Sequence, residues 1–511
     1  MSDNNDIISI ANEIATQKEN IRKAIVAQGV TCPESTPLNQ YPGKIANING
    51  VTTVPNTIWH DNNITSATTT YTVPAGVGIV GGRIFDDNRA VLESVDFNSA
   101  IAVTENTCCD CTSLTNVTGI NAKYIGENAF HNCYNLTSLE SNSLEYVADK
   151  AFQNCYNVTS GLETVNCPNV VYAGVEAFNN DQLLQSVSLP ACTELGAGAF
   201  RLAGNQSWTT KNIHITYDLS NVEKIGYEGL FDNNSLTSIS LPKVKDLGVR
   251  CFCSCDNLAT VSAPLCENVK DSCFYDTALT AITAPNIKSV GISSFEGTTH
   301  NTLANVNGSN QCNLPECEYV GTSAFYDNTN FTSLTLADGC VIGDNAFALS
   351  SGESNETLNN AYIRPSSIGR LAFGRRIIPY GIDFSLCTYI ATGAFNGYCG
   401  YKDGQVPVRI LPQGLDFSSM KTFDLSNREV DIPDYSRIFN NIGSSSSKVK
   451  VWMPKTATIS STDNGYIFNT CYLDIYTDAA DSSELGTYAK ISRQGSLTYH
   501  WGTTHKDFLN A

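Results

Sequence analysis

The groups through which this 511-residue chain could do chemistry are 19 cysteines, 6 histidines and 50 carboxylates. Two cysteine clusters stand out, Cys108-Cys109-x-Cys111 and Cys251-x-Cys253-x-Cys255. Thiolates at that density could hold a soft divalent metal. Neither cluster has the paired CxxC spacing of a zinc site, and no histidine pair completes one, so no metal is expected. The histidines (His60, His131, His214, His300, His500 and His505) show no ligand or triad spacing. The patterns GxSxG, GxxxxGK[ST] and HExxH are absent. Carboxylates could still pair across neighbouring turns of a repeat, which spacing along the chain does not reveal. The expectation is a non-enzymatic protein with no catalytic residue, cofactor or metal.

The charge balance narrows the partners. Lys+Arg minus Asp+Glu is 31 − 50 = −19. An acidic excess argues against sequence-independent nucleic-acid binding, which relies on cations meeting phosphates. It equally disfavours an anionic membrane surface. No run approaches the ~20 apolar residues of a membrane span. The opening MSDNNDIISIANE lacks the basic and apolar regions of a signal peptide. With no such segment, the expected site of synthesis is a reducing compartment, where thiols stay free.

The elements that position these groups come from an internal repeat. YIGENAFHNCYNLTSL (124–139) aligns with YVADKAFQNCYNVTS (146–160), and the pattern recurs to IATGAFNG (390–397). The Phe of Ala-Phe serves as a marker. It falls at Phe85, Cys108, Phe130, Phe152, Phe178, Phe200, Leu230, Phe252, Phe274, Phe295, Phe325, Phe347, Phe373, Phe395, Phe417, Phe439 and Phe468, and 9 of the 16 intervals are 22 residues. A fixed period with apolar ladders implies a solenoid, since one coil cannot bury its apolar side alone. LTSLES, LQSVSLP and LTSISLP alternate apolar and polar residues, so each coil is expected to give one short parallel strand. The Ala-Phe segment is expected to make a helical turn or irregular bend opposite. Cys111, Cys133, Cys155, Cys255 and Cys471 lie three residues after the marker, while Cys192, Cys266, Cys317 and Cys387 lie eight before it. The cysteines therefore read mainly as small buried hydrophobes.

These repeats resemble the BspA-type leucine-rich repeat, roughly [IV]-G-x-x-A-F-x-x-C-x-x-L-x-x-[IVL]-x-[LIA]-P, most closely over 124–139, 225–242 and 247–264. The resemblance implies an α/β solenoid and supplies no catalytic residues. The family occurs among surface adhesins and virion proteins.

The first 50 residues form a separate unit. Ile7, Ile10, Ile14 and Ile21 follow a heptad, so a helix is expected that either packs on its own chain or oligomerises, with trimers compatible. Lys18 to Val30 and Tyr41 to Ile48 resemble a module of bacteriophage tail and fibre proteins, a helix followed by Y-x-x-K-I-x-x-I. Pro42 departs from that pattern. The closing SLTYHWGTTHKDFLNA (496–511) resembles the ends of phage virion proteins. The expected organisation is a helical anchoring or oligomerisation segment (1–50), a β-rich connector or cap (51–84), the repeat solenoid (85–475) and a C-terminal cap or tail (476–511).

Several marker intervals exceed 22, among them two of 26 and two of 30 residues. The added residues include 202–213, 297–314 and 349–361. Insertions at one phase project from one edge of a stack, and loops on a rigid scaffold carry recognition. The candidate partner-binding residues on them are Asn205, Trp208, Lys211, His300, Asn310 and Asn355. The expected protein is a bacteriophage virion appendage, a tail or head fibre made in the host cytoplasm. It would join other virion proteins through its N-terminus, where a homotrimer is compatible, and meet a host-surface glycan or protein through its repeats. The alternatives are an architectural virion protein binding other subunits and a BspA-like cell-surface adhesin.

Overall fold

The computed structural model describes residues 58–61, 64–98, 100–205, 214–296, 303–330, 332–350, 358, 360–374, 376, 382–395, 415–424, 437–440, 448–460, 466–469, 471–488, 491 and 495–511. The chain forms two compact units, Met1–Ala263 and Pro264–Ala511.

In the first unit each full repeat carries two strands, not the expected one. Two-residue strands run from Ile58–Trp59 and Ile79–Val80 through Tyr124–Ile125 and Tyr146–Val147 to Asp246–Leu247, all parallel. The three-residue strands also pair in parallel. Thr70–Thr72, Ser94–Asp96 and Asn116–Thr118 form one sheet; Ser138–Glu140, Thr164–Asn166, Ser186–Ser188 and Thr216–Asp218 form another; Ser238–Ser240 pairs with Thr260–Ser262. Because successive side chains alternate sides, Ile125 and Leu139 point inward while Ser138 and Glu140 face out. Residues 58–80, expected as a connector, already supply strands to these same sheets.

The Ala-Phe segment is not helical. In most coils two residues sit at positive φ, one two before the marker and one two after, as at Asn128 (53°) and Asn132 (60°), then Lys150 (56°) and Asn154 (62°). Each reversal turns amides toward the next coil. Asn128 N, Phe130 N and Asn132 N donate to Asp149 O, Ala151 O and Gln153 O at 3.1, 2.8 and 3.0 Å. A helix would make those bonds within one coil. Left-handed geometry costs ~1–2 kcal/mol for most residues and less for Asn and Asp, which occupy many of these sites. The α/β expectation is therefore corrected to a parallel β-solenoid. Among the described residues the only α-helix is His505–Asn510, and Asp86–Asn88 is a single 3-10 turn. The expected N-terminal helix, with Ile7, Ile10, Ile14 and Ile21, lies outside the described residues.

The markers form the core. Phe130, Phe152, Phe178 and Phe200 stack at 5.0, 5.4 and 5.0 Å with planes within 5°. In several coils the residue three after the marker donates to the marker carbonyl of the preceding coil. Cys133 Sγ reaches Cys108 O at 3.2 Å, Cys155 Sγ reaches Phe130 O at 3.1 Å, and Asn233 Nδ2 reaches Phe200 O at 2.6 Å. These thiols are thus buried donors as well as hydrophobes. Gly196 shows why Gly follows the short strand: a Cβ there would lie 2.6 Å from the Gly174 backbone.

The second unit repeats the plan. Its short strands run in parallel from Asn268–Val269 to Thr458–Ser460. Its longer strands are Ala281–Thr283, Asn305–Val306, Gln311–Leu314, Ser333–Leu336 and Asn360–Tyr362. Phe274, Phe295, Phe325, Phe347, Phe373 and Phe395 stack at 5.0–5.4 Å. Phe395 then stacks directly on Phe439 at 5.1 Å, so Phe417 is not a marker. Phe417 directly follows the strand Leu415–Asp416 and tilts 50° against Phe439. Its 22-residue spacing is coincidental. At the C-terminus Leu415–Asp416, Val449–Trp452, Cys471–Tyr476 and Gly495–His500 form a parallel sheet. The terminal helix is held by a Thr504–Asp507 capping box, by Phe508 beside Trp452 and Tyr476, and by His505 Nε2 at 2.7 Å from Asp416 Oδ2.

Candidate recognition surface

The longer strands of the first unit present two outward columns. One carries Thr70, Ser94 and Asn116, then Ser138, Thr164, Ser186 and Thr216, then Ser238 and Thr260. The other, two residues on, carries Thr72, Asp96, Thr118, Glu140, Asn166, Ser188, Asp218, Ser240 and Ser262. Within a sheet, neighbouring strands lie ~4.8 Å apart and residues i and i+2 are ~6.6 Å apart. Each sheet therefore offers hydroxyls, amides and a few carboxylates on a small regular lattice. Such a surface can hydrogen-bond a ligand that itself repeats.

The insertions differ from the loops expected. In 297–314, Leu303, Val306, Cys312 and Leu314 are buried, and Asn305–Val306 pairs in parallel with Gln311–Leu314. That half of the insertion adds a strand to the core. The reason is its alternation, with Cys312 and Leu314 inward. Asn310 is exposed at the turn, with its amide on Asn305 Oδ1 at 2.8 Å and its carbonyl accepting from Thr332 N. Asn205 is buried, and its Nδ2 donates to Asp232 O at 3.3 Å. Trp208, Lys211, His300 and Asn355 lie outside the described residues.

Two groups escaped the reading of local spacing. Asp181 occupies the position three after the marker, where neighbouring coils have Cys155 and Ala203. It is wholly buried, and one carboxylate oxygen accepts from Cys155 N at 2.7 Å. The other has no partner. Burial pushes its pKa well above the usual carboxylate range, against the pull of the Cys155 N–H. The second group is Cys109, Asp110 and His131, whose ligating atoms lie within 4.8 Å of one another. Cys109 and His131 both follow a marker by one residue in successive coils, so the 22-residue register stacks them. That register was the available signal. Burial, then Asp110, pushes the Cys109 thiol up to about 11, while burial lowers His131 despite Asp110. Asp110 also starts a ladder of side chains at the left-handed sites: Asn132 donates to it at 2.7 Å, Asn154 to Asn132 at 3.1 Å, and Asn180 to Asn154 at 2.8 Å.

The 17 cysteines among the described residues are thiols, not disulfide-bonded. No helix among those residues is long and apolar enough to cross a membrane.

The two-strand coil, the Ala-Phe turn and the buried donor three residues later describe a single repeat type. The BspA type leucine-rich repeat region matches in six copies, over residues 48–159, 104–227, 172–302, 223–354 and 267–402. The chain belongs to the BspA-type leucine-rich repeat family. Three solved structures are similar to this family member. A leucine-rich repeat protein from Bacteroides ovatus is 14% identical, with 77% of this chain and 92% of that one covered, at a TM-score of 0.34. A leucine rich cell surface protein from Faecalibacterium prausnitzii is 15% identical, covering 89% and 94%, at 0.25. The pneumococcal vaccine antigen PcpA is 15% identical, covering 85% and 90%, at 0.33. At these TM-scores the likeness adds nothing to the family assignment. No curated protein matches the chain.

Proposed function

We propose that this BspA-type protein is a non-enzymatic adhesin that docks a repeating surface polymer, such as a glycan, on the outward columns of its first unit. The observation that carries the reading is the alignment of Ser138, Thr164, Ser186 and Thr216 in one parallel register. Weak hydrogen bonds at each strand add up when a polymer engages several at once. Family membership supports a surface role, because such repeats occur in adhesins.

The test is binding of the full chain to immobilised glycans, with and without Thr164→Arg, Ser186→Arg and Thr216→Arg together. Three arginines in one column would block close approach, so binding should be lost while the unfolding midpoint stays put. Unchanged binding by the folded variant would remove this face from consideration. Trp208→Ala tests the insertion edge in the same assay.

A second reading is the virion appendage, with an N-terminal segment joining other virion proteins. It draws on the fibre-like pattern of Lys18 to Val30 and Tyr41 to Ile48. Mass spectrometry of purified virions separates it from the adhesin, and crosslinking through residues 1–50 reports whether three copies associate.

A further inference from the structure

We propose that Cys109, Asp110 and His131 form a binding site for one Zn2+ ion, with a fourth position open to solvent. The donor set is one sulfur, one nitrogen and one oxygen, the mixture that suits a borderline-soft divalent ion. Cys109 Sγ stands 4.0 Å from His131 Nδ1 and 3.6 Å from Asp110 Oδ2. Ligands at ~2.0–2.3 Å from a tetrahedral zinc lie roughly 3.3–3.7 Å from each other. Small side-chain rotations therefore close the site.

Three further features set this place apart. In the first unit the residues one after the marker run Asp86, Cys109, His131, Gln153, Asn179, Arg201, Phe231, Cys253. Only Cys109 and His131 put a thiol and an imidazole in consecutive coils. Next, Cys109 is the one cysteine among the described residues that is not buried. Finally, neighbouring side chains already hold His131 and Asp110. Gln153 hydrogen-bonds His131, and its Nε2 already donates to Glu176 Oε2 at 3.1 Å. Asn132 Nδ2 holds Asp110 Oδ1 at 2.7 Å, turning Oδ2 toward the site.

The charges balance. On binding, the Cys109 thiol proton leaves to solvent, and thiolate plus carboxylate neutralise the dication. Arg89 opposes the ion, with Nη1 at 3.4 Å from Asp110 Oδ2, but its other arm is on Asp86 Oδ1 at 2.6 Å and retains that partner. Lys150 adds a weaker repulsion at His131. The metal would clip two adjacent coils and leave one coordination position for water or a donor from a bound partner.

The probe is Co2+, titrated into chelator-stripped full-length protein, followed by Zn2+. One Co2+ per chain should bind with a thiolate-to-cobalt band in the near ultraviolet, and Zn2+ should bleach it. Cys109→Ser should abolish the band. His131→Asn should weaken binding at least 100-fold, and the positioning variant Gln153→Ala about 10–100-fold. If Cys109→Ser fails to fold, blocking Cys109 in the folded wild type with a thiol reagent takes its place. No thiolate band at millimolar Co2+, or a band that survives loss or blocking of Cys109, overturns the proposal.

Discussion

The two units use one repeat to make different surfaces. In the first, outward strand positions are mostly Ser, Thr, Asn and Asp, and among the described residues only Val91 and Val158 are exposed large hydrophobics. The second exposes Leu265, Ile292, Tyr319, Val341, Tyr362, Leu386, Tyr488 and Leu509. Their cores differ as well. The marker stack of the second unit is phenylalanine from Phe274 to Phe395, whereas the first holds Cys108 and Leu230 among its markers. Inward positions answer to the neighbouring coil, which must accept the same shape one register away. Outward positions answer only to solvent and to whatever binds, so they diverge first.

The largest expected effect probes what the units share. Phe178→Ala and Phe325→Ala each remove a buried ring stacked on both sides. Each should cost ~3–5 kcal/mol, read as lost hydrogen-exchange protection in its own unit. Markedly smaller loss at Phe178 would mean that the interrupted stack of the first unit is already loose.

The interruption itself can be probed by exchange of volume. Beside Leu230 the inward strand position is Tyr217, where the neighbouring strands have Val187 and Ile239. The Tyr217 ring meets Phe200 edge-on at 5.4 Å, and its hydroxyl is 2.5 Å from Asn233 Oδ1. The large Tyr fills the room a Phe marker would take. Leu230→Phe alone should therefore overpack the site and cost ~1–3 kcal/mol. Combined with Tyr217→Val it should cost less than the two single changes summed. Additive losses in denaturant unfolding would refute the exchange.

Asp181 distinguishes the first unit by pH. Its folded pKa is raised, so its contribution is most favourable below the ordinary carboxylate pKa of ~3.9 and is lost as pH rises toward the folded value. Wild-type stability should decline over that window. Asp181→Asn places there the residue found at Asn233 and Asn328, whose amides donate to a marker carbonyl. It should flatten the decline and gain ~1–3 kcal/mol at neutral pH, the scale of a buried unsatisfied polar group. Unfolding midpoints at pH 4 and pH 7 decide it, and equal slopes in both proteins would count against the assignment.

What could be read from the sequence follows the same inward–outward division. The period, the marker stack from Phe130 to Phe200 and the buried cysteines were legible because core positions repeat. Two features of the turn were not. Left-handed Lys150, Glu176 and Arg250 carry no sequence mark of that conformation, unlike Asn128 or Asn154. A second strand of only two residues, such as Tyr124–Ile125, is too short to show alternation. Phe417 misled by spacing alone, since 22 residues separate it from both Phe395 and Phe439. The pairing of Cys109 with His131 was present in the register, but local motif spacing looks along the chain, whereas a solenoid brings ligands together across it.

The smallest expected effect bears on the surfaces. Tyr362 is 68% exposed on the strand Asn360–Tyr362, and Val341 is 38% exposed beside Tyr319 on the next strand. Neither side chain fills the core, so Tyr362→Ser and Val341→Thr should each shift stability by no more than ~0.5 kcal/mol. If docking belongs to the hydroxyl columns of the first unit, both variants should also bind immobilised glycan like wild type. A clear loss of binding with unchanged stability would move the recognition surface to the exposed hydrophobic side chains of the second unit. In that case the greater exposure of hydrophobic side chains there would mark function, and the regular hydroxyl lattice would be the by-product of repeating strands that face water.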